Sequence, residues 1–362
     1  MRKINCPNEN LFLKNILIAP LNWGLGHASR CIPIIRFLQK NHKVIIATDG
    51  IALQLLKNEF PTFTFIELPG YEITYTNKRN FLWHLIKQIP FVLRTVRKEN
   101  KICKTICNEH KIDLILSDNR YGMYNAKTPS LFLTHQLNIL IDRKWTFPFS
   151  LHQLFLKRFS KILVPDYADN QLAGKLSRLN KRNLWIEYIG LLSKFESNII
   201  STDTTNDILV ILSGPEPSRS NLEKELFRVL SDSKYRIVLI RGSKMNCEVK
   251  ADNILTIDLA DQKEMELWIQ KSRLIICRSG YSSIMDLLAL NKKAILIPTP
   301  QQMEQEYLAS IHHLNPLFVS IEEKNIKKQL INSIRELLKK KNQNDRFYPV
   351  EFEHKLNSYL QS

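Results

Sequence analysis

The chain has only ten glycines in 362 residues, and nine of them fall within a few residues of the end of an apolar, β-branched run. Gly24 and Gly26 follow the run 16–20, and Gly50, Gly70, Gly122, Gly190, Gly214, Gly242 and Gly280 each follow another; Gly174 does not. A residue used at under half its usual frequency marks places where the backbone must turn sharply or come close to a neighbour. The runs lie at 16–20, 43–48, 62–67, 113–117, 130–134, 161–164 and 186–189, then at 207–212, 236–240, 253–257, 274–277 and 294–297. Helical patterns separate them. Short strands alternating with helices predict parallel, doubly wound α/β sheets, and such sheets bind ligands beyond the carboxyl ends of their strands. Two such edges facing one another enclose a cleft.

The length suits two domains. A polar, aperiodic stretch at 193–206 serves as the linker between a first Rossmann-like domain, 1–192, and a second, 207–345. A helix at 346–362 is expected to pack back on the first domain. No apolar run reaches the roughly 18 residues of a membrane span. Asn8, Glu9 and Asn10 interrupt the place where a secretion signal needs its apolar centre. Of six cysteines only Cys103 and Cys107 lie close together, with no second pair to complete a zinc site, as in a cytoplasmic protein with reduced thiols. No Asp-x-Asp follows a strand, so neither a divalent-metal clamp nor any other cofactor is expected. The net charge of +17 suits a phosphorylated substrate, an anionic membrane or nucleic acid. A nucleic-acid protein would leave the strand-end glycines unexplained, and no nucleic-acid motif accompanies the charge.

Four segments after strands can carry chemistry. Asn22-Trp23-Gly24-Leu25-Gly26-His27-Ala28-Ser29-Arg30 joins a strand to a helix whose first N–H groups suit an anion. His27 stands at that entrance with a proton affinity suited to a base at neutral pH. A capping or buried histidine is the plainer alternative, and Ser29 replaces the third glycine of a dinucleotide fingerprint. Leu274 to Asp286 repeats the strand–turn–helix pattern: Ser279, Gly280 and the next amides can cradle a diphosphate, and Asp286, one turn on, can reach a ribose diol or simply offset the helix dipole. Ser213 and Gly214 open a third turn. The fourth, 298–306, offers amides and carboxylates for sugar hydroxyls. Arg241 and Arg278, just after strands, are candidates to stabilise a leaving diphosphate together with the helix N-termini. Asp118 can orient His27 or an acceptor, or form a plain Asx turn.

Together these segments resemble the MurG-like GT-B glycosyltransferases of family 28, which move N-acetylglucosamine from UDP to a lipid-linked acceptor. The Arg278-Ser279-Gly280 turn with an acid six residues later is the most specific match. Gln305-Glu306-Tyr307-Leu308-Ala309 is similar to the family's glutamine-rich stretch, Gly24–His27 to its glycine loop, and His135-Gln136-Leu137-Asn138 loosely to a His-Glu-Gln-Asn stretch. The resemblance implies a GT-B fold, two Rossmann-like domains facing across a cleft, with the acceptor on the first and the nucleotide sugar on the second. It implies a UDP-sugar donor, metal-independent transfer and inversion. Asp286 would then bind the ribose. Ser213, Gly214, Ser279 and Gly280 would surround the diphosphate, with Gly24, Gly26, Arg241 and Arg278 as further donor-site residues, and Gln305 would read the sugar. His27 or Asp118 would deprotonate the acceptor. Leu308 stands where the family has asparagine, and Pro215 interrupts its glycine–serine loop. Gly26-His27-Ala28-Ser29-Arg30-Cys31 is also similar to the loop of MurG-like hydrolases, in which histidine activates water; a hydrolase or epimerase would keep the same donor site.

Segment 81–104 combines an apolar stripe (Leu82, Leu85, Ile86, Ile89, Leu93, Val96) with a basic one (Lys87, Arg94, Arg97, Lys101, Lys104) and aromatic Phe81, Trp83 and Phe91. An amphipathic basic helix of this kind suits the inner membrane surface or a lipid-linked acceptor; an ordinary core-packed helix with a solvated face has the same pattern. Pro90 is expected to kink or split it.

Overall fold

The fold is described from a computed structural model over residues 13–71, 81–138, 147–179, 185–195, 205–243, 251–340 and 350–361. The first sheet contains β1 (Asn15–Pro20), β2 (Lys43–Thr48), β3 (Thr64–Glu67), β4 (Leu114–Asp118), β5 (Ser130–Leu133), β6 (Lys161–Val164) and β7 (Ile186–Tyr188), in the order β3-β2-β1-β4-β5-β6-β7. The second contains β8 (Asn206–Ile211), β9 (Ile237–Ile240), β10 (Ile254–Ile257), β11 (Ser272–Cys277), β12 (Lys293–Leu296) and β13 (Phe318–Ser320), in the order β10-β9-β8-β11-β12-β13. Each pairing within both sheets is parallel. The expected strands are present within a residue or two at their ends. β13 is an addition to them: three residues at a sheet edge leave too little periodicity to read.

The helices are α1 (Leu25–Leu38), α2 (Gly50–Glu59), α3 (Phe81–His110), α4 (Phe147–Leu156), α5 (Ser218–Leu230), α6 (Gln262–Lys271), α7 (Tyr281–Ala289), α8 (Met303–His312), α9 (Ile326–Lys339) and α10 (Phe352–Gln361). Alternation along the strands sends their side chains to opposite faces. Ile16, Ile18 and Ile46 pack with Ile32 and Ile35 of α1, whereas Leu17, Ala19, Ile45 and Ala47 pack with Cys103, Ile106 and Cys107 of α3. In the second sheet Ile208, Val210, Leu274 and Ile276 meet Leu226 of α5 and Leu330 and Ile334 of α9.

α3 runs unbroken through Pro90, so of the expected kink or split the split does not occur. Among its described side chains Val96, Cys103 and Ile106 are buried while Arg94, Arg97, Lys101 and Lys104 face outward. Phe81, Leu82, Trp83, Leu85, Ile86 and Lys87 lie outside the described side chains. Among the described residues no helix is long and apolar enough to cross a membrane. α10 lies against the first domain: Phe352 meets Phe37 of α1 edge-on at 6.0 Å, and Tyr359 donates to Glu187.

Chain order reverses between β1 and β4 in one sheet and between β8 and β11 in the other. At these switch points neighbouring loops splay apart and leave a crevice. Register places Pro20 beside Asp118 in the first and Ile211 beside Cys277 in the second. The Gly24–His27 loop and Asp118 therefore share one crevice; Ser213-Gly214 and Ser279-Gly280 share the other.

Candidate active site

The first crevice is built on Asp118, which ends β4 and has no solvent exposure. Its carboxylate lies 3.0 Å from His27 Nδ1, accepts from Arg30 Nε at 2.7 Å and accepts a further short bond from Arg30 Nη2. His27 and Arg30 stand three residues apart on α1, so both reach the same point from one helix face. Arg30 Nη2 also lies 2.9 Å from His27 Nδ1. An ionised carboxylate has no proton and a guanidinium no lone pair, so the two contacts demand opposite tautomers. The carboxylate decides: a lone pair at 3.0 Å from it is repelled, while Arg30 Nη2 already has Asp118 as acceptor. His27 therefore carries its proton on Nδ1, and Nε2 is left with its lone pair. Nε2 makes no hydrogen bond among the described residues.

Burial lowers the proton affinity of His27 and outweighs the raising effect of Asp118, so the imidazole is neutral at neutral pH. Burial pushes the Asp118 acid upward, but Arg30 and His27 outweigh it and hold the group far below the usual carboxylate range. The pair is thus a fixed anion orienting a neutral imidazole, as a general base requires.

A second buried network keeps the loops around this pair in place. Arg120, fully buried, donates from Nε to Pro20 O at 2.9 Å, from Nη1 to Glu99 at 2.7 Å, and from Nη2 to Asp49. Asp49 in turn accepts from Asn22 at 3.0 Å, at the root of the Gly24 loop. Tyr71 and the Gly122 N–H complete the shell of Glu99, at 2.6 and 2.8 Å.

The second domain closes onto the first. Ser282 Oγ donates to Gly26 O at 3.1 Å, and a Cβ at Gly26 would come within 2.8 Å of that hydroxyl oxygen, so glycine there permits the approach. Gly24 begins α1 at φ 74, in the left-handed region, with no side-chain cap. Glu304, from α8, accepts from His135 Nε2 at 3.0 Å and from Gln136 Nε2. His135 Nδ1 lies 2.9 Å from Arg30 Nη1. Because Arg30 only donates, His135 holds its proton on Nε2, where Glu304 accepts it, and both bonds are satisfied by one tautomer. Burial pushes the Glu304 acid up, but His135, with His27 and Arg30, outweighs it and leaves the group below its usual range.

The remaining expected residues divide into two groups. Ser213, Gly214, Ser279 and Gly280 lie on the two loops of the second switch point. α7 begins there without a side-chain cap, leaving its first-turn N–H groups for an anion, whereas in α5 Arg219 N and Ser220 N already donate to Pro215 O and Glu216. Ser279 Oγ donates to Gln305 O at 2.8 Å, and Gln305 Oε1 accepts from Thr299 N at 2.9 Å, so the turn and the glutamine-rich segment brace each other. Asp286 is more enclosed than a solvated first-turn carboxylate: it accepts from Ser193 Oγ at 2.7 Å and Lys194 N at 3.3 Å, and burial raises its proton affinity.

The two arginines are held by carboxylates of their own domain. Arg278 is 2% exposed and bonded to Glu323 at 2.7 Å, Ser218 Oγ at 2.9 Å and the carbonyls of Ser218 and Pro298 at 3.0 and 3.2 Å. Arg241, also buried, pairs with Glu223 and with Asp258 at 2.8 Å. Both guanidinium groups are struts between loops of the second domain, because a charge buried at a strand end must find a carboxylate. What sequence reasoning passes over is the pairing of His135 with Glu304. Both stand in segments singled out for other reasons, 169 positions apart, and no local spacing joins them.

A family model described as the glycosyltransferase family 28 C-terminal domain matches residues 218–355. The UDP-N-acetylglucosamine--N-acetylmuramyl-(pentapeptide) pyrophosphoryl-undecaprenol N-acetylglucosamine transferase of Caldanaerobacter subterraneus subsp. tengcongensis is 21% identical, over 90% of this chain and 95% of its own. The MurG structure from Acinetobacter baumannii superposes with a TM-score of 0.59 at 10% identity, over 96% of this chain and all of its own. Spinosyn rhamnosyltransferase SpnG complexed with thymidine diphosphate superposes with a TM-score of 0.63 at 13% identity, over 96% of each chain. The two parallel sheets, each with its switch point on a common cleft, form the GT-B fold of these enzymes. Residues 218–355 are a glycosyltransferase family 28 C-terminal domain by their match to that model, and the chain as a whole is similar to the MurG-like glycosyltransferases.

Proposed function

We propose that the protein transfers a sugar, an N-acetylhexosamine, from a UDP-sugar to a hydroxyl of a lipid-linked acceptor, with inversion and without a metal. The observation that carries the reading is the His27–Asp118 pair at 3.0 Å, set at the first switch point and facing the uncapped start of α7 at the second. His27 Nε2 takes the acceptor proton as the acceptor oxygen attacks the anomeric carbon. The bond from that carbon to the diphosphate breaks, and UDP leaves with the negative charge. The first-turn amides of α7 meet that charge as it develops, which is the part a metal plays elsewhere. Asp286 and Gln305 hold the ribose and the sugar. The named relative acts on UDP-N-acetylglucosamine and a pyrophosphoryl-undecaprenol acceptor, which supports this pair of substrate classes here.

An open pocket of about 550 Å³ lies at the seam of the domains, lined by Asp169, Asn170, Lys175, Arg178 and Tyr307 among others. Its size and its two cations suit a phosphorylated glycan. The basic outer face of α3 gives an anionic membrane a place to dock, on the cytoplasmic side where UDP-sugars are available. The test is UDP release from UDP-N-acetylglucosamine with and without a polyprenyl diphosphate sugar. Release that depends on the acceptor and vanishes in His27→Ala supports the proposal. Rapid release without acceptor, or an active His27→Ala enzyme, overturns it.

A further inference from the structure

We propose that His135 and Glu304 are positioning residues that couple closure of the cleft to alignment of the catalytic pair. The inference rests on the role proposed for His27. A continuous line of bonds runs from the second domain to that imidazole: Glu304 to His135 at 3.0 Å, His135 to Arg30 at 2.9 Å, Arg30 to Asp118 at 2.7 Å, and Asp118 to His27 at 3.0 Å. Arg30, Asp118 and His135 are each at most 5% exposed, so water does not substitute readily for a lost partner.

Every bond in the line has a fixed direction, because guanidinium only donates and carboxylate only accepts. Glu304 holds the His135 proton on Nε2, which leaves Nδ1 as the acceptor for Arg30. When the cleft opens, Glu304 withdraws and His135 can take the other tautomer. A proton on Nδ1 would then point at Arg30 Nη1, donor against donor, and Arg30 would shift relative to Asp118. The orientation of the His135 ring is set from the same side. Tyr281, the first residue of α7, stacks on it with centroids 4.1 Å apart and planes within 6°, while its hydroxyl donates to Pro165 O of the first domain. Gln136 donates to the other oxygen of Glu304. The carboxylate and the aromatic ring that hold His135 both arrive with the donor half, so the base is aligned when the donor is in place.

Three substitutions test this in the full chain. His135→Phe keeps the stack on Tyr281 and removes both hydrogen bonds; His135→Gln retains an acceptor and a donor; Glu304→Leu removes both acceptor oxygens. We expect His135→Phe to lower kcat about 10- to 100-fold, the scale on which misplacement of a reacting group is felt, with the donor KM little changed. His135→Gln should recover part of the loss. Glu304→Leu added to His135→Phe should cost little more, since both break one line. In ¹⁵N NMR with UDP bound, His27 should show a fixed Nδ1–H tautomer that becomes mixed in His135→Phe. If His135→Phe does not fold, Glu304→Leu, whose parent side chain is 23% exposed, gives the same readings. Unchanged kcat in these variants while His27→Ala is inactive overturns the coupling alone, as does a loss confined to KM. An active His27→Ala enzyme instead overturns the functional reading on which the coupling rests.

Discussion

Asp118→Asn separates the structural and chemical roles of the carboxylate at the centre of the first crevice. The amide has nearly the same shape, so it adds no cavity. It replaces an anion by a neutral group beside Arg30, whose side chain is only 2% exposed. Breaking a buried ion pair by neutralising one partner costs about 3–5 kcal/mol. The amide oxygen of the substituted side chain would still accept one Arg30 bond, which favours the lower end. At roughly 2–4 °C per kcal/mol for a domain of this size, the first domain should melt about 6–12 °C earlier. The chemical effect is separate. The new NH₂ group either faces Arg30, donor against donor, or faces His27 Nδ1 and demands a lone pair there. In the second arrangement the His27 proton moves to Nε2, and the base nitrogen is occupied. The same substitution in the Ser-His-Asp triad costs about 10⁴ in kcat, and we expect a loss of ~10³–10⁴ here. The assay is acceptor-dependent UDP release well below the variant's melting temperature, scaled to the fraction that binds UDP. Acid unfolding supplies a second reading. A carboxyl held below its unfolded value contributes stability that is present above pH ~4 and lost as pH falls toward the folded value. Asp118→Asn should flatten this part of the profile. A variant that melts with the wild type and keeps kcat within a few-fold would refute the orientation of His27 by Asp118.

Three further outcomes follow from the geometry. Asp286→Asn should leave the melting temperature unchanged or raised, because burial disfavours the carboxylate, while weakening UDP binding in a thermal-shift titration; equal UDP affinity would remove Asp286 from the ribose site. Arg278→Met should destabilise the second domain by about 3–5 kcal/mol by stranding Glu323, with UDP affinity of the folded protein little altered. The reverse pattern would make Arg278 a diphosphate ligand after all. For His27, whose folded pKa is lowered by burial, kcat/KM should rise with pH to a plateau through a midpoint below about 6.5. A midpoint above that value would contradict a neutral buried base.

Much of the fold is legible in the sequence because its signals are local. Ile16–Pro20 and Lys43–Thr48 are apolar and β-branched over most of their length, and each is followed by a glycine or a polar turn. Phe318–Ser320 escapes such a reading because a short edge strand has no period to detect. Pro90 does not split the helix, for a related reason. Its missing N–H weakens a helix locally, but packing along the rest of α3, through Val96, Cys103 and Ile106, is enough to carry the helix through. Local rules weigh the proline; they do not see the sheet beneath it.

The site is legible in halves. Residue type and strand-end position mark His27, Asp118, Ser279 and Gly280 without any knowledge of what faces them. Arg278 and Arg241 meet the same description and are struts, since a guanidinium at a strand end can turn inward as readily as outward. What decides is whether a carboxylate waits below: Glu323 stands 45 residues from Arg278 and Glu223 stands 18 from Arg241, at no spacing a sequence pattern records. The same blindness hides the bond from His135 to Glu304, 169 residues apart. A histidine and a carboxylate on opposite domains have no shared period, and only the topology that sets both switch points on one cleft makes them neighbours. Pairings across that cleft are also the ones that must form and break as substrate enters and product leaves. The residues hardest to read from the chain are therefore those on which the timing of the reaction depends.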